Sequence, residues 1–265
     1  MLKFSILGAL EIDTPDGRIE VPGCLQRSLL QTLLVGEGEP IPSEELMHGM
    51  WGDAAEDIQA NALHAHVSRL RRRLRSLEPD RPSPRLTAHP TGYRLALSER
   101  ELDAVEFVKA VNTIEAASHI PPHELAGRLR AALSMWRGPV FGGSVEIPLC
   151  RRAAARYEAY RIRALELMFD AELAAGHHAG VIAELYEQHY AHPMSEHFCE
   201  QLMIALYCSG QQAEALDIYR RMRRRLSEEL GVEPSPKLRR VEQAILAHDP
   251  ELGPLAEAPL SRRPG

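Results

Sequence analysis

The segment 61–75, NALHAHVSRLRRRLR, constrains the fold of this chain more than any other stretch of its sequence. As a helix, it carries an apolar stripe at alternating spacings of four and three residues: Leu63, Val67, Leu70, Leu74 and Leu77. The other face of the helix carries polar and cationic side chains: Asn61, His64, Ser68, Arg69, Arg72 and Arg75. One face is therefore suited to pack on a core, while the other offers forked cations and small hydrogen-bonding groups to an anionic partner.

A hairpin pattern follows the basic helix. Segment 86–97, LTAHPTGYRLAL, predicts two short strands around a tight turn, in which Gly92 supplies a permissive backbone. Tyr93 and Arg94 come directly after this glycine. A basic helix followed by a hairpin is the arrangement with which a winged helix-turn-helix reads the major groove and the adjacent backbone of DNA.

The distribution of charge distinguishes this block from an ordinary solvated helix face. Residues 59–94 contain eight arginines and two acidic residues, a net charge of +6, whereas residues 1–58 contain three basic and eleven acidic residues, a net charge of −8. No Asp or Glu lies between residues 59 and 77 to neutralise the helix through i,i+4 pairs. Because the whole chain has a net charge of −6, this separation of sign favours DNA binding.

Length and composition exclude several other classes of protein. A chain of 265 residues is typical of two domains. No apolar run approaches the 18 residues or so of a membrane span, and the N-terminus lacks a cleavable signal peptide. We therefore expect a cytoplasmic, nucleoid-associated protein without membrane contact. The four cysteines, at 24, 150, 199 and 208, form no CxxC pair and favour reduced thiols over a zinc site.

The N-terminal part predicts the element order of a winged helix. A strand is expected over 2–12 and another over 18–21, followed by helices over 25–35 and from Ser43, as its N-cap, to Met50 or Trp51. A loop over 52–57 then leads to the basic third helix, and the hairpin ends near Leu97. We assign this domain to residues 1–98.

The remaining sequence predicts helices separated by Gly and Pro, over 103–117, 122–136, 149–175, 178–191, 195–208, 211–230 and 235–247. The segments beginning at Gly176 and Gly210 are similar at an offset of 34 residues, the period of tetratricopeptide helix pairs. The predicted fold class is thus mainly α with a small β component. An all-α, tetratricopeptide-like domain over 99–248 follows the winged helix, and a Pro-rich, disordered tail covers 249–265.

Together these segments resemble the Streptomyces antibiotic regulatory protein family, whose members join an OmpR-type winged helix to a bacterial transcriptional activation domain. The resemblance covers residues 2–248 and rests on FSILGALEI, VSRLRRRLR, TGYRL, AALSMWRGPVF, ELAAGHHAGVIAELYEQHYAHPMSE and the long segment from QLMIALYCSG to VEQAIL, in this order. It implies an activator of a secondary-metabolite (antibiotic) gene cluster that binds direct repeats near the promoter −35 region as a side-by-side dimer. The 265 residues contain no receiver domain, so we expect control through expression level or a ligand.

The resemblance also implies which residues contact each partner. DNA-binding positions fall on the third helix (Asn61, His64, Ser68, Arg69, Arg71, Arg72, Arg75), on the wing (Arg85, Thr87, Thr91, Tyr93, Arg94) and at the start of the first helix (Gln26, Arg27). Segment 51–58 corresponds to the RNA polymerase contact of OmpR-type domains, through Trp51, Gly52, Asp53, Glu56 and Asp57. Region 4 of the sigma subunit is the expected target, with the alpha and beta subunits as further partners. Which arginines read bases and which contact phosphates stays open, and a tryptophan at position 51 is also typical of a core residue.

The sequence leaves two other classes of function open. In an enzyme, His64 with His66, or His177 with His178, could be metal ligands. His64 and His66 are two apart on a predicted helix, however, and so lie about 200° around it from each other, whereas two helical ligands need a spacing of three or four residues. HExxH, GxSxG and phosphate-loop motifs are absent from the sequence, and Ser144 beside Gly142 and Gly143 is a poor candidate nucleophile. We therefore expect no enzyme, metal or cofactor.

The second alternative is a helical scaffold or ligand-binding regulatory module that does not read promoters directly. Its groove would be lined by tyrosines, for each of which core packing is the simpler role: Tyr157, Tyr160, Tyr186, Tyr190 and Tyr207. This alternative leaves the +6 block over 59–94 unexplained.

Overall fold

The computed structural model of the chain describes residues 2–52, 56–117, 119–143, 146–249 and 252, and for residues 56–60 it describes the backbone alone. Within these ranges the chain is mostly helical, with two small three-stranded sheets. The predicted fold class is therefore confirmed: mainly α with a small β component, a winged helix-turn-helix followed by a helical region. Apart from residues 249 and 252, the tail predicted to be disordered lies outside the described residues.

The first sheet is an antiparallel meander of three strands, β1 (Lys3–Ser5), β2 (Glu11–Thr14) and β3 (Gly17–Glu20). The single strand predicted over 2–12 is wrong, because the chain leaves the ladder between β1 and β2. There the backbone N–H groups of Ile6 and Leu7 donate to the carboxylate of Asp103, at 2.8 and 3.1 Å, instead of to a neighbouring strand.

Three helices and a second sheet complete the winged helix. The helices are α1 (Cys24–Val35), α2 (Ser43–Trp51) and α3 (Glu56–Leu77), and the strands are β4 (Pro40–Pro42), β5 (Leu86–His89) and β6 (Gly92–Leu95). The sheet order is β4-β6-β5, with both pairs antiparallel. The three-residue strand β4 was not predicted. The loop predicted over 52–57 is too long by two residues, since α3 begins at Glu56, and Pro42, not Ser43, occupies the N-cap of α2.

Gly92 is required by the close approach of β4 to β6. A Cβ atom at this position would lie 2.0 Å from the carbonyl oxygen of Ile41 and 2.7 Å from the backbone nitrogen of Ser43. Its backbone is not in the left-handed region, so the predicted reason for this glycine, a permissive turn backbone, is wrong. Any side chain here would force β4 away from the wing.

The helical region follows the sequence prediction closely. Its helices are α4 (Asp103–Ala116), α5 (Pro122–Leu133), α6 (Pro148–Ala174), α7 (His178–Ala191), α8 (Glu196–Cys208), α9 (Gln212–Arg225) and α10 (Pro236–Leu246). The predicted helix over 211–230 consists of α9 and a π-helical turn (Leu226–Leu230). No helix among the described residues combines the length and apolar character that a membrane span requires.

The 34-residue offset has a structural basis in two equivalent helix ends. Gly176 and Gly210 have φ values of 82° and 80°, the left-handed conformation that ends a helix. In both cases the next residue donates its backbone N–H to a carbonyl five residues earlier, His177 to Glu172 at 3.0 Å and Gln211 to Leu206 at 2.8 Å. α7 and α9, which follow these caps, both pack against α8.

The described residues pack as two compact units. One comprises 2–117 and 131–163, and the other comprises 119–130 and 164–252. Within the first unit, the N–H of Phe4 donates to the carbonyl of Glu101 at 2.7 Å, and the N–H of Arg137 donates to the carbonyl of Leu7 at 2.7 Å. The N-terminal sheet is thus bonded to residues that follow the wing, and the compact units are divided differently from the predicted domains 1–98 and 99–248.

Candidate nucleic-acid interface

Burial of one stripe fixes the rotation of α3. The side chains of Leu63, Val67, Leu70 and Leu74 are at most 2% exposed, while Leu77 at the helix end is half-buried. Each fully buried aliphatic side chain contributes about 1.5–3 kcal/mol relative to an exposed one, so a rotated helix is strongly disfavoured. The face predicted to meet DNA is exposed along its whole length: Asn61, His64, Ser68, Arg69, Arg72 and Arg75.

Three arginines on this face have no acidic partner among the described side chains. No described carboxylate lies within 4 Å of the guanidinium of Arg69, Arg72 or Arg75. They follow one another at three-residue spacing, where like charges on a helix repel. An anionic partner with several charges would relieve that repulsion and accept the forked N–H donors.

Two other arginines of α3 are used to hold the helix in place. Arg71 is half-buried and its Nε donates to the carbonyl of Leu86 at 2.8 Å, which ties α3 to the wing. The Nη2 of Arg73 donates to the carbonyl of Glu20 at 2.9 Å, which ties α3 to the first sheet. Of these two, Arg71 was predicted to contact DNA. One N–H group of its guanidinium is already bonded to the wing.

Arg85 was predicted to contact DNA from the wing, and this prediction is wrong because the side chain is buried. The residue is 3% exposed. Its Nε and Nη2 donate to the two carboxylate oxygens of Glu78 at 2.7 and 2.6 Å, and its Nη1 and Nη2 donate to those of Glu101 at 2.9 and 3.0 Å. We call Glu78, Arg85 and Glu101 the buried triad. It joins the end of α3, the start of β5 and the segment that enters α4.

The buried triad also shifts the ionisation of its acids. Burial would raise the pKa of Glu101, but hydrogen bonds from Arg85 and from the Ser98 N–H outweigh it and lower that pKa to about 2. The pKa of Glu78 is also lowered, because hydrogen bonds from Arg85 again outweigh the opposing effect of burial. Both acids are therefore charged at neutral pH, and the cluster holds one guanidinium between two carboxylates.

Tyr93 is a second predicted DNA contact that the structure places inside. The residue is 6% exposed, and its hydroxyl lies 2.7 Å from Nδ1 of His64. Because His64 is exposed on α3, Tyr93 positions a residue of the interface and does not itself face a partner. The two rings meet edge to face, with centroids 6.3 Å apart.

The outer face of the wing keeps its predicted polar residues exposed: Thr87, Thr91 and Arg94. Thr87 and Arg94 are cross-strand partners, so their side chains stand next to each other. The Nε of Arg94 donates to the carbonyl of Gly38 at 2.5 Å, which anchors the guanidinium at the β4 side of the sheet.

A groove of about 780 Å³ separates the start of α1 from α3 and has a cationic wall, formed by Arg69, Arg72 and Arg73. Gly23 occupies the N-cap of α1 and offers no side-chain hydrogen bond to the first N–H groups of the helix. Gln26 donates to His66 of α3, while Arg27 is exposed. Uncapped N–H groups opposite arginines suit a phosphate. Arg73 was not predicted as a DNA contact, since on a wheel of α3 alone it falls beside the basic face.

The predicted polymerase segment 51–58 is only in part a loop. Trp51 is the last residue of α2; it is half-buried, with its ring edge-on to His66 at a centroid distance of 5.8 Å. Gly52 is exposed with φ +67°, and α3 starts at Glu56, so 56–58 are helical. Asp53 and the side chains of Glu56 and Asp57 lie outside the described residues.

The histidine pairs considered as metal ligands are engaged in other ways. His64 is bonded to Tyr93 and His66 to Gln26, while His177 Nδ1 lies 2.7 Å from the carboxylate of Glu172. Burial and the nearby charge of Arg69 lower the pKa of His66, so its imidazole adds no charge to the groove at neutral pH. In the described part of the chain, no group of three or more His, Cys, Asp or Glu could hold a metal ion.

Two protein families match this chain in sequence. Residues 102–246 match the family described as bacterial transcriptional activator domain. Residues 25–95 match the family described as transcriptional regulatory protein, C terminal. The two matches meet between the end of the wing and the start of α4.

Relatives that match nearly the whole of this chain are regulatory proteins of Streptomyces and Mycobacterium. The chain is 35% identical over 252 residues to the transcriptional regulator RedD of Streptomyces coelicolor, covering 95% of this chain and 72% of RedD. It is 34% identical over 261 residues to the regulatory protein AfsR of the same species, covering 97% of this chain but 25% of AfsR. AfsR is thus several times longer than the region it shares with this chain.

A solved structure shares the fold over nearly the whole chain. The structure of Mycobacterium tuberculosis EmbR in complex with a low affinity phosphopeptide superposes with a TM-score of 0.85 at 30% identity. The match covers 93% of this chain and 65% of the EmbR chain. Similarity in both sequence and structure therefore extends through the winged helix and the helical region.

We predict that Arg85→Ala destabilises the fold, whereas Arg72→Ala does not. Removing Arg85 leaves two buried carboxylates without their cation, and breaking a buried ion pair from one side costs about 3–5 kcal/mol. Urea denaturation at pH 7 measures this loss of unfolding free energy, with the exposed Arg72→Ala as the matched control.

The same pair of variants has an expected pH dependence. Since the pKa of Glu101 is about 2 in the folded chain and about 4.3 when unfolded, the triad stabilises the wild type above that upper value and loses this effect as the pH falls towards 2. The difference in stability between wild type and Arg85→Ala should therefore narrow from pH 6 to pH 3. A difference that stays constant over this range would contradict the role given to the buried triad.

Proposed function

We propose a mode of promoter recognition for this chain, which belongs to the Streptomyces antibiotic regulatory protein family of transcriptional activators. In this mode, α3 lies in the major groove of duplex DNA with its exposed face against the base edges. The observation that carries this proposal is the exposed row of Arg69, Arg72 and Arg75, which lacks an acidic partner among the described side chains. Double-stranded DNA supplies the missing negative charge.

Base reading is assigned to α3. Arg69, Arg72 and Arg75 are candidates for bidentate contact with guanine, and Asn61 is a candidate for adenine. Each good bidentate contact gives about 1–3 kcal/mol of discrimination against a wrong base. His64, held by the Tyr93 hydroxyl, presents its Nε2 to the same groove.

Phosphate contacts are assigned to the elements that flank α3. The uncapped start of α1 with Arg73 would hold one phosphate of one strand, and Gln26 and Arg27 lie beside it. On the other side, Thr87, Thr91 and Arg94 of the wing would follow the backbone. If about five or six phosphates are neutralised in all, log K should fall with log salt concentration at a slope near −5.

Replacing Arg72 or Arg75 with alanine should weaken operator binding by an order of magnitude or more without lowering the melting temperature. Both side chains are exposed, so their loss removes DNA contacts but no core packing. The operator is first obtained by sequencing genomic DNA recovered with the purified protein, and affinity is then measured by fluorescence anisotropy. Parallel losses of stability and affinity would show that these arginines are structural.

We further propose that two protomers bind side by side on direct repeats near the −35 region of a secondary-metabolite promoter. One recognition helix reads too few base pairs to compete with genomic DNA, so a second protomer is needed for specificity. In this division of labour, residues 1–98 read DNA and residues 99–248 help to hold the protomers together on the nucleoid.

This pairing predicts cooperative binding. A duplex with two repeats should bind each protomer about tenfold more tightly, or better, than a duplex with one repeat. Titration of both duplexes measures the ratio, and a two-repeat duplex with added spacing of half a helical turn serves as the control. Equal affinities for one and two repeats would contradict the pairing.

Activation is assigned to the acidic segment that follows α2. Asp53, Glu56 and Asp57 would contact region 4 of the sigma subunit, with the alpha and beta subunits of RNA polymerase as further contacts. Trp51 precedes this segment in sequence, and its ring packs against His66 of α3. Gly52, exposed at the end of α2, begins the segment.

Reversal of charge at Asp53, Glu56 and Asp57 should leave operator binding unchanged and lower transcription in vitro severalfold. The triple substitution to lysine tests this with purified polymerase holoenzyme, and substitution of the acidic pair Glu44 and Glu45 at the start of α2 is the control. Transcription that stays at the wild-type level would exclude this segment as the polymerase contact.

A further inference from the structure

A second concentration of positive charge lies in the helical region. Residues 164–219 contain nine acidic residues and not one Lys or Arg. Residues 220–240 then contain eight basic and three acidic residues, a net charge of +5. The separation of sign is as sharp as that between 1–58 and 59–94, and the DNA interface described above does not use it.

Four arginines of this block form one exposed surface on α9 and α10, which we call the second basic surface: Arg220, Arg223, Arg224 and Arg239. The three on α9 are spaced so that they share one face. Arg239 of α10 lies near Tyr219, a buried residue of α9, and the two helices contact each other. Burial and a hydrogen bond to Glu242 raise the pKa of Tyr219 to about 12, and the charges of both Arg223 and Arg239 oppose this rise, so both lie near the same hydroxyl.

Structural roles account for only part of the block. Arg221, Arg223, Arg225 and Lys237 have carboxylate partners at 4 Å or less: Asp217, Glu233, Glu229 and Glu200. Basic residues in the last turn of α9 also favour its C-terminal dipole. Neither reason applies to Arg220 or Arg239.

Some arginines of the second basic surface lack a described carboxylate partner, and these lower the stability of the fold. Within the described residues, no carboxylate pairs with Arg220, Arg224 or Arg239. Arg220 and Arg224 are four residues apart on one helix, where like charges repel and reduce helix stability. An anionic partner outside the described chain would explain why three cations are kept together at this cost.

We propose that the second basic surface binds the sugar-phosphate backbone of duplex DNA without reading its sequence. Arg220 and Arg224 lie about 6 Å apart along α9, so they can meet separate phosphates of a strand that carries a charge every 3.4 Å or so. A protein partner would need an apolar centre. The exposed large apolar residues nearby are Leu230 and Val232, which lie beyond the end of α9, and Leu246, which is the last residue of α10, so they flank the four arginines and do not lie among them. The surface therefore fits a polyanion better than an acidic protein.

This contact rests on the proposed function, because DNA held by α3 is at high effective concentration for any other surface of the same chain. The second basic surface would add phosphate contacts to those made by the winged helix. It would also make affinity depend on the length of the duplex and on salt more steeply than the contacts of α3 alone.

The test measures the salt dependence of binding by the full chain to a random-sequence duplex, long enough to pass well beyond one helical turn. The test variant is Arg220→Ala with Arg239→Ala, and the control is Arg221→Ala with Arg240→Ala. The control removes the same charge from the same two helices, but its residues lie about 100° around each helix from Arg220 and Arg239. Alanine favours helix, and all four side chains are exposed, so both variants should fold.

The slope of log K against log salt should be less steep by roughly 2 in the test variant and unchanged in the control, since each lost phosphate contact removes about 0.9. A test variant with the wild-type slope overturns the proposal, as does an equal loss in both variants. An unchanged slope with reduced transcription would overturn it in favour of an acidic protein. Arg94→Ala, which removes a phosphate contact assigned to the wing, is measured in parallel and must make the slope less steep on the same duplex. If it does not, the proposed function fails and not the second basic surface.

Discussion

The burial of one apolar stripe on α3 determines everything that the interface can do. Since Leu63, Val67, Leu70 and Leu74 are held in the core, the helix cannot rotate, and the arginines on the other face have a fixed direction. The remaining contacts refine this placement. Arg71 ties α3 to the wing, Arg73 ties it to the first sheet, and the Tyr93 hydroxyl fixes His64. Preorganised donors lose less entropy when they bind than flexible ones.

Arginine has two distinct uses in this chain, and burial separates them. Arg85 is enclosed by two carboxylates and stabilises the joint between α3, β5 and the start of the helical region. Arg72 and Arg75 are exposed on the same winged helix without a described acidic partner, which leaves them free for a ligand. The exposed arginines of α9 also differ in their partners, because Arg221 has a carboxylate within its own helix and Arg224 does not.

The sequence predicted those features that depend on local periodicity. The helices from 103 to 246, the stripe on α3 and its exposed polar face follow from 3.6-residue spacing and from Gly and Pro. Features that depend on contacts distant in sequence were missed. The partners of Arg85 lie 7 and 16 residues away, Tyr93 meets a histidine 29 residues earlier, and β4 is a strand only because it pairs with β6. Arg73 was missed because its groove is completed by α1.

The position of Glu101 has a consequence for protein engineering. A chimeric regulator would join the winged helix of one relative to the helical region of another, and the end of the wing is the obvious splice point. A splice there separates Arg85 from Glu101, so the hybrid would keep a buried guanidinium with only one of the two carboxylates that balance its charge. Splicing after Asp103 transfers Glu101 together with the carboxylate that accepts the backbone N–H groups of Ile6 and Leu7, and it preserves both connections as one module.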